Sequence, residues 1–567
     1  MSRSAKSTSF TFEVLRDNFF HLCRDMATEL RKICISTVIR EAQDFATAIT
    51  DRQGRLIAQS IGTPGHYNSI PTAVRGMLEK FPPETLVEGD VLMTNDPWIC
   101  AGHLPDIVLV TPVFHAGELV AFAATVAHHI DVGGKNPGST TANTTEIFQE
   151  GLQLPPLRYF EAGRKNQAVE DIIRQNVRIP NVVVHDLECQ MAVNNRGAQR
   201  VRALCAKYGA DVVTASFDTA IAGSERLIRE EIRRIPDGVY QFEDFLDDDG
   251  IVDKPLRIAA TITVKGSDLR VDFSGSAPQV KGGINMTPSF RDSYTHLAIR
   301  CYLDPDIPQN HGCFAPITIT APEGCIVNPY RTAAVAGRSP VISRVVDAVM
   351  GCLGQAMPDR AVAGYGGCNA QPVISGQNPR TGRFFIFLDS NWGGLGGRAS
   401  ADGETCLSFP QNVGNHPIEI LESRYPVRIL RYTIQTDSEG AGTYRGGFGS
   451  VKDYCMLADV DLQVPGDRVK LPPFGLFGGK AAVPTRYVRV RDGREEDLKT
   501  KHAYELKAGD ILSVRTSGGG GIGDPGKREP RLVAEDIRKG YVTREHARVA
   551  YGYEEAKVSG VDRTKHP

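Results

Sequence analysis

The chain has 567 residues, of which 41% are hydrophobic and 23% charged, a composition that suits a globular protein with large buried cores. Its 65 basic and 67 acidic side chains leave a formal charge of −2. This balance excludes the strongly basic character that is typical of nucleic-acid-binding proteins and of proteins held to anionic membranes. At roughly 150 residues per domain, the length predicts about three or four structural units.

The N-terminal residues, the apolar segments and the cysteines all bear on the cellular compartment. The N-terminal residues, MSRSAKSTSFTFEV, lack the apolar segment of a secretory signal. No window approaches the roughly 18 apolar residues of a membrane-spanning helix. The 12 cysteines are scattered without a CxxC pair, as in a reduced protein rather than a disulfide framework. We therefore expect a cytoplasmic protein that binds neither nucleic acid nor membranes.

The first predicted element is a helix over residues 12–35, where apolar side chains recur every three or four positions. A hairpin follows, with a strand at 44–50, a turn at 51–55 and a return strand at 56–58. Residues 71–80 indicate a second, shorter helix. The N-terminal part is therefore expected to mix helices with antiparallel hairpins.

A second hairpin is predicted further along the chain. Residues 89–97 form a buried strand that runs into a turn, and 100–106 form a loop. Apolar strands at 107–114 and 119–127 flank a turn, which predicts an antiparallel pair. Residues 131–156 are rich in glycine, asparagine, threonine and proline, and they indicate a long irregular loop of the kind that often carries function.

The rest of the chain alternates in the same way. Helical patterns return at residues 168–234, strands are predicted at 256–264 and 269–273, and a second strong helix spans 339–357. Glycine-punctuated strands continue to about residue 525, before two short helices in the tail. The 57 glycines and 34 prolines indicate many turns. We predict a mixed α/β (α+β) fold of several β-rich units, with antiparallel hairpins and a few long helices, tightly joined.

The predicted boundaries lie near residues 235, 335 and 455. They divide the chain into four units, which are an N-terminal α+β unit with the candidate site (1–235), a β-rich unit (236–335), a glycine-rich α/β unit (336–455) and a C-terminal β-rich segment with short terminal helices (456–567).

The hairpin over residues 106–128 brings an acid and imidazoles together. Its turn centres near residues 116–117, and opposed residues of an antiparallel pair have numbers that sum to about twice the turn centre. Asp106 therefore faces a residue between 126 and 128, beside His128 and His129, and His103 lies in the loop that enters the same strand. Adjacent strand residues face opposite ways, so only one of the two histidines points to Asp106, and the turn does not decide which.

These side chains suit a divalent metal. If the strand that begins at Asp44 lies alongside, two carboxylates and two imidazoles would form a complete ligand set for Zn²⁺, Fe²⁺ or Mn²⁺. The alternative is that HLPD is a turn and the two histidines end a strand, with their rings bonded to the backbone. Because HxxD is a common sequence, spacing alone favours that alternative.

Longer motifs carry a family resemblance. NDPWICAGHLPDIVLVTPVF (residues 95–114), followed by AHHIDVGG (127–134), resembles the hydantoinase B/oxoprolinase family. Further matching blocks follow the family order along nearly the whole chain: EAQDFATAI (41–49), PGST (137–140), EIFQEG (146–151), VDFSGSAPQV (271–280), NPYRTAAVAGR (328–338), DSEGAGTYRGGFG (437–449) and GGGGIGDP (518–525). One departure is Cys100, at a position that is usually glycine, and we do not expect it to be a ligand.

The resemblance implies a ligand set and a partner. By motif, the metal ligands become Asp44, His103, Asp106 and His128, with Zn²⁺ as the first choice and Mn²⁺ or Fe²⁺ as alternatives. The family pairs with a larger hydantoinase A-type subunit that binds ATP and Mg²⁺, and we expect an (αβ)2 heterotetramer. Glu146 and Glu150, in the loop that follows, are candidate general bases.

The activity implied by the resemblance is the ATP-dependent opening of a small cyclic amide, which would be a lactam, a hydantoin or 5-oxoproline. One alternative is a subunit of an ATP-dependent ketone carboxylase, which would use bicarbonate. A second is a non-catalytic scaffold that stabilises its partner.

Other motifs make weaker candidates for a site. Residues 518–523 satisfy GxGxxG after a predicted strand, but Asp524 and Pro525 follow where a dinucleotide-binding fold needs a helix. No P-loop occurs, so the nucleotide is expected on the partner. Arg338, at the entrance of a predicted helix, could neutralise a carboxylate or phosphate. His66, His311 and His416 lie in loops, and we expect structural roles for all three.

Overall fold

A seven-stranded antiparallel sheet organises the N-terminal part of the chain. The computed structural model describes residues 3–367 and 370–554. The strands of this sheet are β1 (Phe45–Asp51), β2 (Leu56–Gln59), β3 (Val91–Thr94), β4 (Asp106–His115), β5 (Glu118–His128), β6 (Leu157–Glu161) and β7 (Arg164–Lys165). They lie in the order β2-β1-β5-β4-β3-β6-β7. Both predicted hairpins, β1–β2 and β4–β5, are present, and β5 lies between β1 and β4.

Helices pack on this sheet. They are α1 (Arg3–Ile33), α2 (Thr37–Arg40), α3 (His66–Lys80), α4 (Gln167–Asn176), α5 (Pro180–Tyr208) and α6 (Ala210–Ile232). Buried side chains of α1 recur every three or four residues, at Leu15, Phe19, Leu22, Met26 and Leu30. This is the amphipathic pattern that predicted the helix. The apolar face of α1 packs against β1 and α5 in one core.

A second sheet has four strands, β8 (Gly238–Leu246), β9 (Leu256–Lys265), β10 (Asp268–Asp272) and β11 (Ile317–Thr320). Their order is β11-β10-β9-β8, with β10 and β11 parallel and the other pairs antiparallel. Helices α7 (Pro288–Arg300) and α8 (Ser339–Ala356) accompany it. Helix α8 is buried along nearly its whole length, because it packs between this sheet and α7.

The strands of the last two sheets alternate along the chain. They are β12 (Val373–Asn378), β13 (Arg383–Leu388), β14 (Val427–Ile434), β15 (Ser450–Met456), β16 (Val460–Val464), β17 (Arg486–Arg491), β18 (Arg494–Asp497), β19 (His502–Leu506) and β20 (Ile511–Arg515). One sheet has the order β13-β12-β16-β19 and the other β14-β15-β20-β17-β18. The predicted boundary near residue 455 lies inside β15, which pairs with β14 and β20, so the last two predicted units share a sheet.

Shorter helical elements complete the chain. The C-terminal half carries α9 (Ile418–Arg424), α10 (Pro530–Arg538) and α11 (Arg544–Tyr551), and the last two are the predicted tail helices. Single 3-10 turns occupy Pro83–Thr85, Ile147–Gln149, His311–Cys313, Pro358–Arg360 and Pro525–Lys527. The mixed fold with antiparallel hairpins is confirmed. Within the described residues, no helix combines the length and the apolar character needed to cross a bilayer.

Glycine-rich segments of the C-terminal half pack backbone against backbone. A Cβ atom on Gly519 would fall on the carbonyl oxygen of Leu395, and one on Gly520 on that of Phe474. A backbone oxygen cannot rotate away as a side chain can, so any larger residue would force these segments apart. The GxGxxG run is therefore a packing element, and a 3-10 turn at Pro525–Lys527 stands where a nucleotide site would need a longer helix.

A buried network of charged side chains joins α8 to loops of the C-terminal half. Asp467 accepts a hydrogen bond from Lys501 Nζ at 3.0 Å and another from Arg344 of α8. Arg468 donates to Asp347 of α8 at 2.8 Å. All five side chains are buried, so each charge depends on its partners in place of water.

Candidate metal site

Three of the predicted ligands lie side by side at one end of the central strands β1, β5 and β4 of the seven-stranded sheet. Asp106 is the first residue of β4 and pairs with His128, the last residue of β5. On the other side of β5, Phe45 of β1 pairs with Ala127, and the His128 N–H donates to the Asp44 carbonyl oxygen at 3.0 Å. Because β5 lies between β1 and β4, Asp44 and Asp106 flank His128.

His103 reaches the same end of these strands from the loop before β4. Gly102 precedes it with a φ of +84°, and a Cβ atom on this glycine would lie 2.7 Å from Cβ of Phe290. Both the left-handed backbone and the close approach therefore require glycine here. The turn lays the His103 ring against the His128 ring, with 4.8 Å between their centroids.

The donor atoms of these side chains are spaced like the ligands of one ion. His103 Nε2 lies 3.1 Å from Asp106 Oδ2, and His128 Nδ1 lies 3.2 Å from Asp106 Oδ1. Asp44 Oδ2 lies 3.8 Å from His128 Nδ1. Ligands of a tetrahedral ion with bonds of about 2.0–2.1 Å lie about 3.3 Å from one another. Although His103 Nε2 is close to Asp106, it forms no hydrogen bond with any described residue. His103, Asp106 and His128 each bring a possible ligand atom within 4.8 Å of the other two and therefore fit a divalent metal, and Asp44 adjoins this group through His128.

Hydrogen bonds from outside the cluster orient two of its members. Thr63 Oγ1 donates to Asp44 Oδ1 at 2.9 Å, which leaves Asp44 Oδ2 facing His128. His103 Nδ1 lies 3.4 Å from the carbonyl oxygen of Ala336. A carbonyl can only accept, so this contact favours the tautomer with its proton on Nδ1 and a lone pair on Nε2. Partners of this kind fix the orientation of metal-binding histidines.

Arg338 supports the cluster from the opposite wall. It directly precedes α8, as predicted, and its Nη2 donates to Asp106 Oδ2 at 3.1 Å and to the Ala101 carbonyl at 2.7 Å. Its guanidinium lies 4.0 Å from the centre of the Phe290 ring. Arg338 thus fixes the rotamer of Asp106 and supplies a buried positive charge beside it.

Electrostatics keep two of the side chains in forms that bind metals. Burial, together with the charge of Arg338, lowers the pKa of His103 to about 3, so its ring is neutral near neutral pH. Burial alone would raise the pKa of Asp106, but His103 and His128 outweigh it and hold that pKa well below its usual range. A neutral imidazole and an ionised carboxylate are the protonation states that ligate metals.

His129 faces away from this cluster. Its Nε2 lies 2.9 Å from Oε1 of Gln190 on α5, and Gln190 donates in turn to the Ile107 carbonyl at 3.2 Å. The position of the hairpin turn did not decide which of the two histidines points to Asp106. His128 is the one whose side chain faces Asp106, while His129 connects the sheet to α5.

The two glutamates considered as general bases lie outside the cluster. Glu146 is exposed and directly precedes the 3-10 turn at Ile147–Gln149. Glu150 is buried, and its Oε1 accepts hydrogen bonds from the N–H groups of Val335 at 2.9 Å and Ala336 at 3.0 Å. Neither glutamate lines the cavity in front of the four candidate ligands. Glu150 instead positions the segment that reaches His103.

The four candidate ligands line a narrow cavity of about 50 Å³. Segments from all parts of the chain form its wall, which combines apolar and aromatic side chains with amides. Members of the wall include Phe290, Tyr294, Ile342, Gln371, Leu388 and Gln411. Such a lining suits a small, partly apolar molecule with a few hydrogen-bonding groups.

His66 was expected to be structural, but it lines this cavity from the first position of α3. Its buried Nδ1 has no hydrogen-bond partner among the described residues. Burial lowers the pKa of His66, so the ring is neutral near neutral pH. Gln371 and Gln411 were also missed, because they lie in distant loops without a motif that pointed to the site.

Replacing Glu150 with glutamine is expected to change how stability depends on pH. Burial raises the pKa of Glu150 to about 7, although hydrogen bonds from Ala336, Thr144 and Val335 oppose this. The folded pKa exceeds the unfolded value of about 4.3. The free energy of unfolding therefore falls as the pH rises from the unfolded to the folded pKa, by up to about 1.4 kcal/mol per pH unit. Glutamine does not titrate, and this fall should disappear. Urea unfolding across the window measures it; parallel curves for both proteins would contradict the raised pKa.

The fold matches solved structures. The crystal structure of the ATP-dependent caprolactamase from Pseudomonas jessenii superimposes with a TM-score of 0.92 and 28% identity, over 97% of this chain and 97% of that one. A nucleotide-free structure of acetone carboxylase gives a TM-score of 0.87 with 20% identity, over 96% of this chain and 79% of that one. At that lower identity, the likeness shows the fold alone.

The sequence comparisons agree with this likeness. A protein of Pseudomonas sp. (strain NS671), named as one subunit of a putative D-/L-hydantoinase, is 35% identical over 96% of this chain and 95% of its own length. The family model for hydantoinase B/oxoprolinase matches residues 8–525, a range that contains all the motif blocks that carried the resemblance. The chain therefore belongs to the hydantoinase B/oxoprolinase family.

Proposed function

We propose that this chain is the metal-containing subunit of an ATP-dependent enzyme that hydrolyses a cyclic amide. The observation that carries the proposal is the convergence of Asp44, His103, Asp106 and His128 on one cavity, in a chain whose solved relative is an ATP-dependent caprolactamase. The candidate substrates are a lactam, a hydantoin and 5-oxoproline. Two carboxylates and two imidazoles favour Zn²⁺, with Mn²⁺ and Fe²⁺ as the alternatives.

In this proposal, the residues around the cavity have different roles in ring opening. A divalent ion, when bound by the four ligands, would supply a Lewis acid that can polarise a carbonyl or lower the pKa of water. Arg338 keeps Asp106 in place as a ligand. His66, whose ring is neutral and whose Nδ1 accepts no hydrogen bond from the described residues, is assigned to hold or accept a proton. The carboxamides of Gln371 and Gln411 can both donate to and accept from a ring amide.

ATP enters through a partner subunit. An unstrained amide is a poor electrophile, and a cleaved ring keeps its amine close to the acyl carbon, which favours closure. Phosphorylation of the amide oxygen would create a leaving group and drive opening. The glycine run of this chain is occupied by backbone packing. We therefore assign ATP and Mg²⁺ to a hydantoinase A-type partner in an (αβ)2 heterotetramer, and a relative that is named as one subunit of a hydantoinase supports such a partner.

Elemental analysis of the purified chain tests the metal site. We expect Asp44→Ala and His103→Ala each to contain one equivalent of divalent metal less than the wild type, because each change removes a donor atom from the ion. His115→Ala is the matched control, since His115 lies at the opposite end of β4 and should leave the metal in place. Equal metal contents in the wild type and Asp44→Ala would sink the site as described.

The rival activity is ATP-dependent carboxylation of a ketone. This chain covers 97% of the caprolactamase chain but 79% of the acetone carboxylase chain, which favours the hydrolase. With the partner present, ATP-dependent loss of a lactam or hydantoin would support hydrolysis, and bicarbonate-dependent loss of a ketone would support carboxylation. A non-catalytic scaffold predicts instead no metal at these four residues and unchanged turnover in His103→Ala.

A further inference from the structure

A second cluster of metal-binding side chains lies where the end of α1 meets α5. Cys34 directly follows α1, and Asp186 and Cys189 lie on α5. A spacing of three residues places the two α5 side chains on the same face of the helix. The sulfur atoms of both cysteines and a carboxylate oxygen of Asp186 all lie within 4.8 Å of one another. None of the three residues lines the cavity of the first site.

Among the described residues, Asp186 is a buried acid without an ion-pair partner. Its side chain belongs to a residue that is 1% exposed, and it forms no ion pair with a lysine, arginine or histidine of the described chain. Its oxygens accept hydrogen bonds from the backbone N–H groups of Ile35 at 2.9 Å and Ser36 at 3.3 Å. Backbone dipoles compensate only part of the cost of burying a carboxylate. A bound cation would supply the missing positive charge.

Buried cysteines usually act as small apolar side chains. Cys205, also on α5 and also buried, fits that description, because it belongs to no metal-like cluster among the described residues. Cys34 and Cys189 differ, since their sulfur atoms lie close to each other and to the Asp186 carboxylate. Both cysteines of the cluster are buried.

We propose that Cys34, Asp186 and Cys189 bind a thiophilic divalent cation, for which Zn²⁺ is the best match. Two thiolates and a carboxylate provide three ligands of a tetrahedral site, and water would complete it. Binding requires both thiols to lose their protons to solvent. The ion would tie the end of α1 to α5 and would serve structure, separately from the cavity where the proposed reaction takes place.

Cobalt loading of the full-length protein distinguishes this site from the first one. The metal-free protein is kept reduced, loaded with Co²⁺ and examined for the near-ultraviolet band that arises from charge transfer between thiolate and cobalt. The first site offers only nitrogen and oxygen ligands, so it contributes no such band. We expect the band in the wild type and in His103→Ala. We expect its loss in Cys189→Ser and in Cys34→Ser.

Cys205→Ser is the matched control, because it removes a buried thiol from the same helix and should keep the band. Circular dichroism confirms that each variant is folded. A wild type without the band, or a Cys189→Ser variant that retains it, would overturn the proposal. A Cys34–Cys189 disulfide that persists in reductant and excludes cobalt would do the same. Loss of cobalt from His103→Ala without loss of the band reports on the first site only, so the two proposals fail independently.

Discussion

Replacing Asp106 with asparagine is expected to abolish turnover together with metal binding at the Asp44, His103, Asp106 and His128 site. Asp106 contacts His103 and His128 through different oxygens and accepts a hydrogen bond from Arg338. Asparagine has nearly the same shape, but it replaces one of these oxygens with an NH2 group that repels a cation. Changes to supporting partners already cost about 10–100-fold in metal affinity or activity, so loss of this ligand should exceed about 100-fold.

Metal content and ATP-dependent turnover with the partner subunit measure this effect. His129→Gln is the control, because His129 is the neighbouring buried histidine but contacts Gln190 instead of the cluster. The His129→Gln variant should keep its metal, and we expect this change to affect only the stability of the folded protein. An Asp106→Asn protein that is folded and retains wild-type metal would show that Asp106 is not a ligand.

A second large effect is expected on stability. In Asp467→Ala, the buried charges of Arg344 and Lys501 lose a shared carboxylate, which they contact in the folded protein. Removal of one member of a buried ionic network leaves charges without water or partner, and it typically costs about 3–5 kcal/mol. We therefore expect the midpoint of urea unfolding to fall sharply, while metal content in the remaining folded protein is unchanged.

Asp268→Ala provides the comparison. Asp268 pairs with Arg229 at 2.7 Å, but its side chain is 70% exposed. Such surface pairs contribute about 0–1 kcal/mol, because water and salt screen them. Similar small losses in both variants would mean that water reaches the network around Asp467 and that its charges are not truly desolvated.

The part of the site that depends on local sequence was predictable. A short turn determines the register of the β4–β5 hairpin, and the structure pairs Asp106 with His128, within the predicted range. The periodicity of apolar residues likewise identified α1 and α8. Hairpins and helices depend on contacts between residues close in sequence, and a sequence reports these contacts directly.

The non-local part was not predictable from spacing. Asp44 reaches the site because β1 pairs with β5, and no local pattern specifies that order of strands. It entered the ligand set only through the family resemblance. Arg338 was expected at the entrance of a helix, where it could neutralise a carboxylate or phosphate, and its partner, Asp106, lies 232 residues away in the sequence. Tertiary packing, rather than secondary structure, makes these contacts.

The position of His66 shows how a local rule can mislead. The helix predicted over residues 71–80 begins earlier in the structure, at His66, so that Pro71 lies inside α3. Proline is favoured at the first turn of a helix, whereas Pro71 lies further inside α3, so the predicted start was too late. That error left His66 in a predicted loop, whereas the first turn of α3 carries it to the cavity.

The interlocked glycines have a consequence for mutational scanning. Substitutions at Gly519 or Gly520 would reduce cellular activity as strongly as loss of a metal ligand, although the atoms nearest to an added Cβ at either position belong to the backbone. The cause would differ, since fewer molecules would fold while each folded molecule kept its full rate. A scan scored by activity alone would thus report a second active site in a region that performs no chemistry, unless protein abundance were measured beside it.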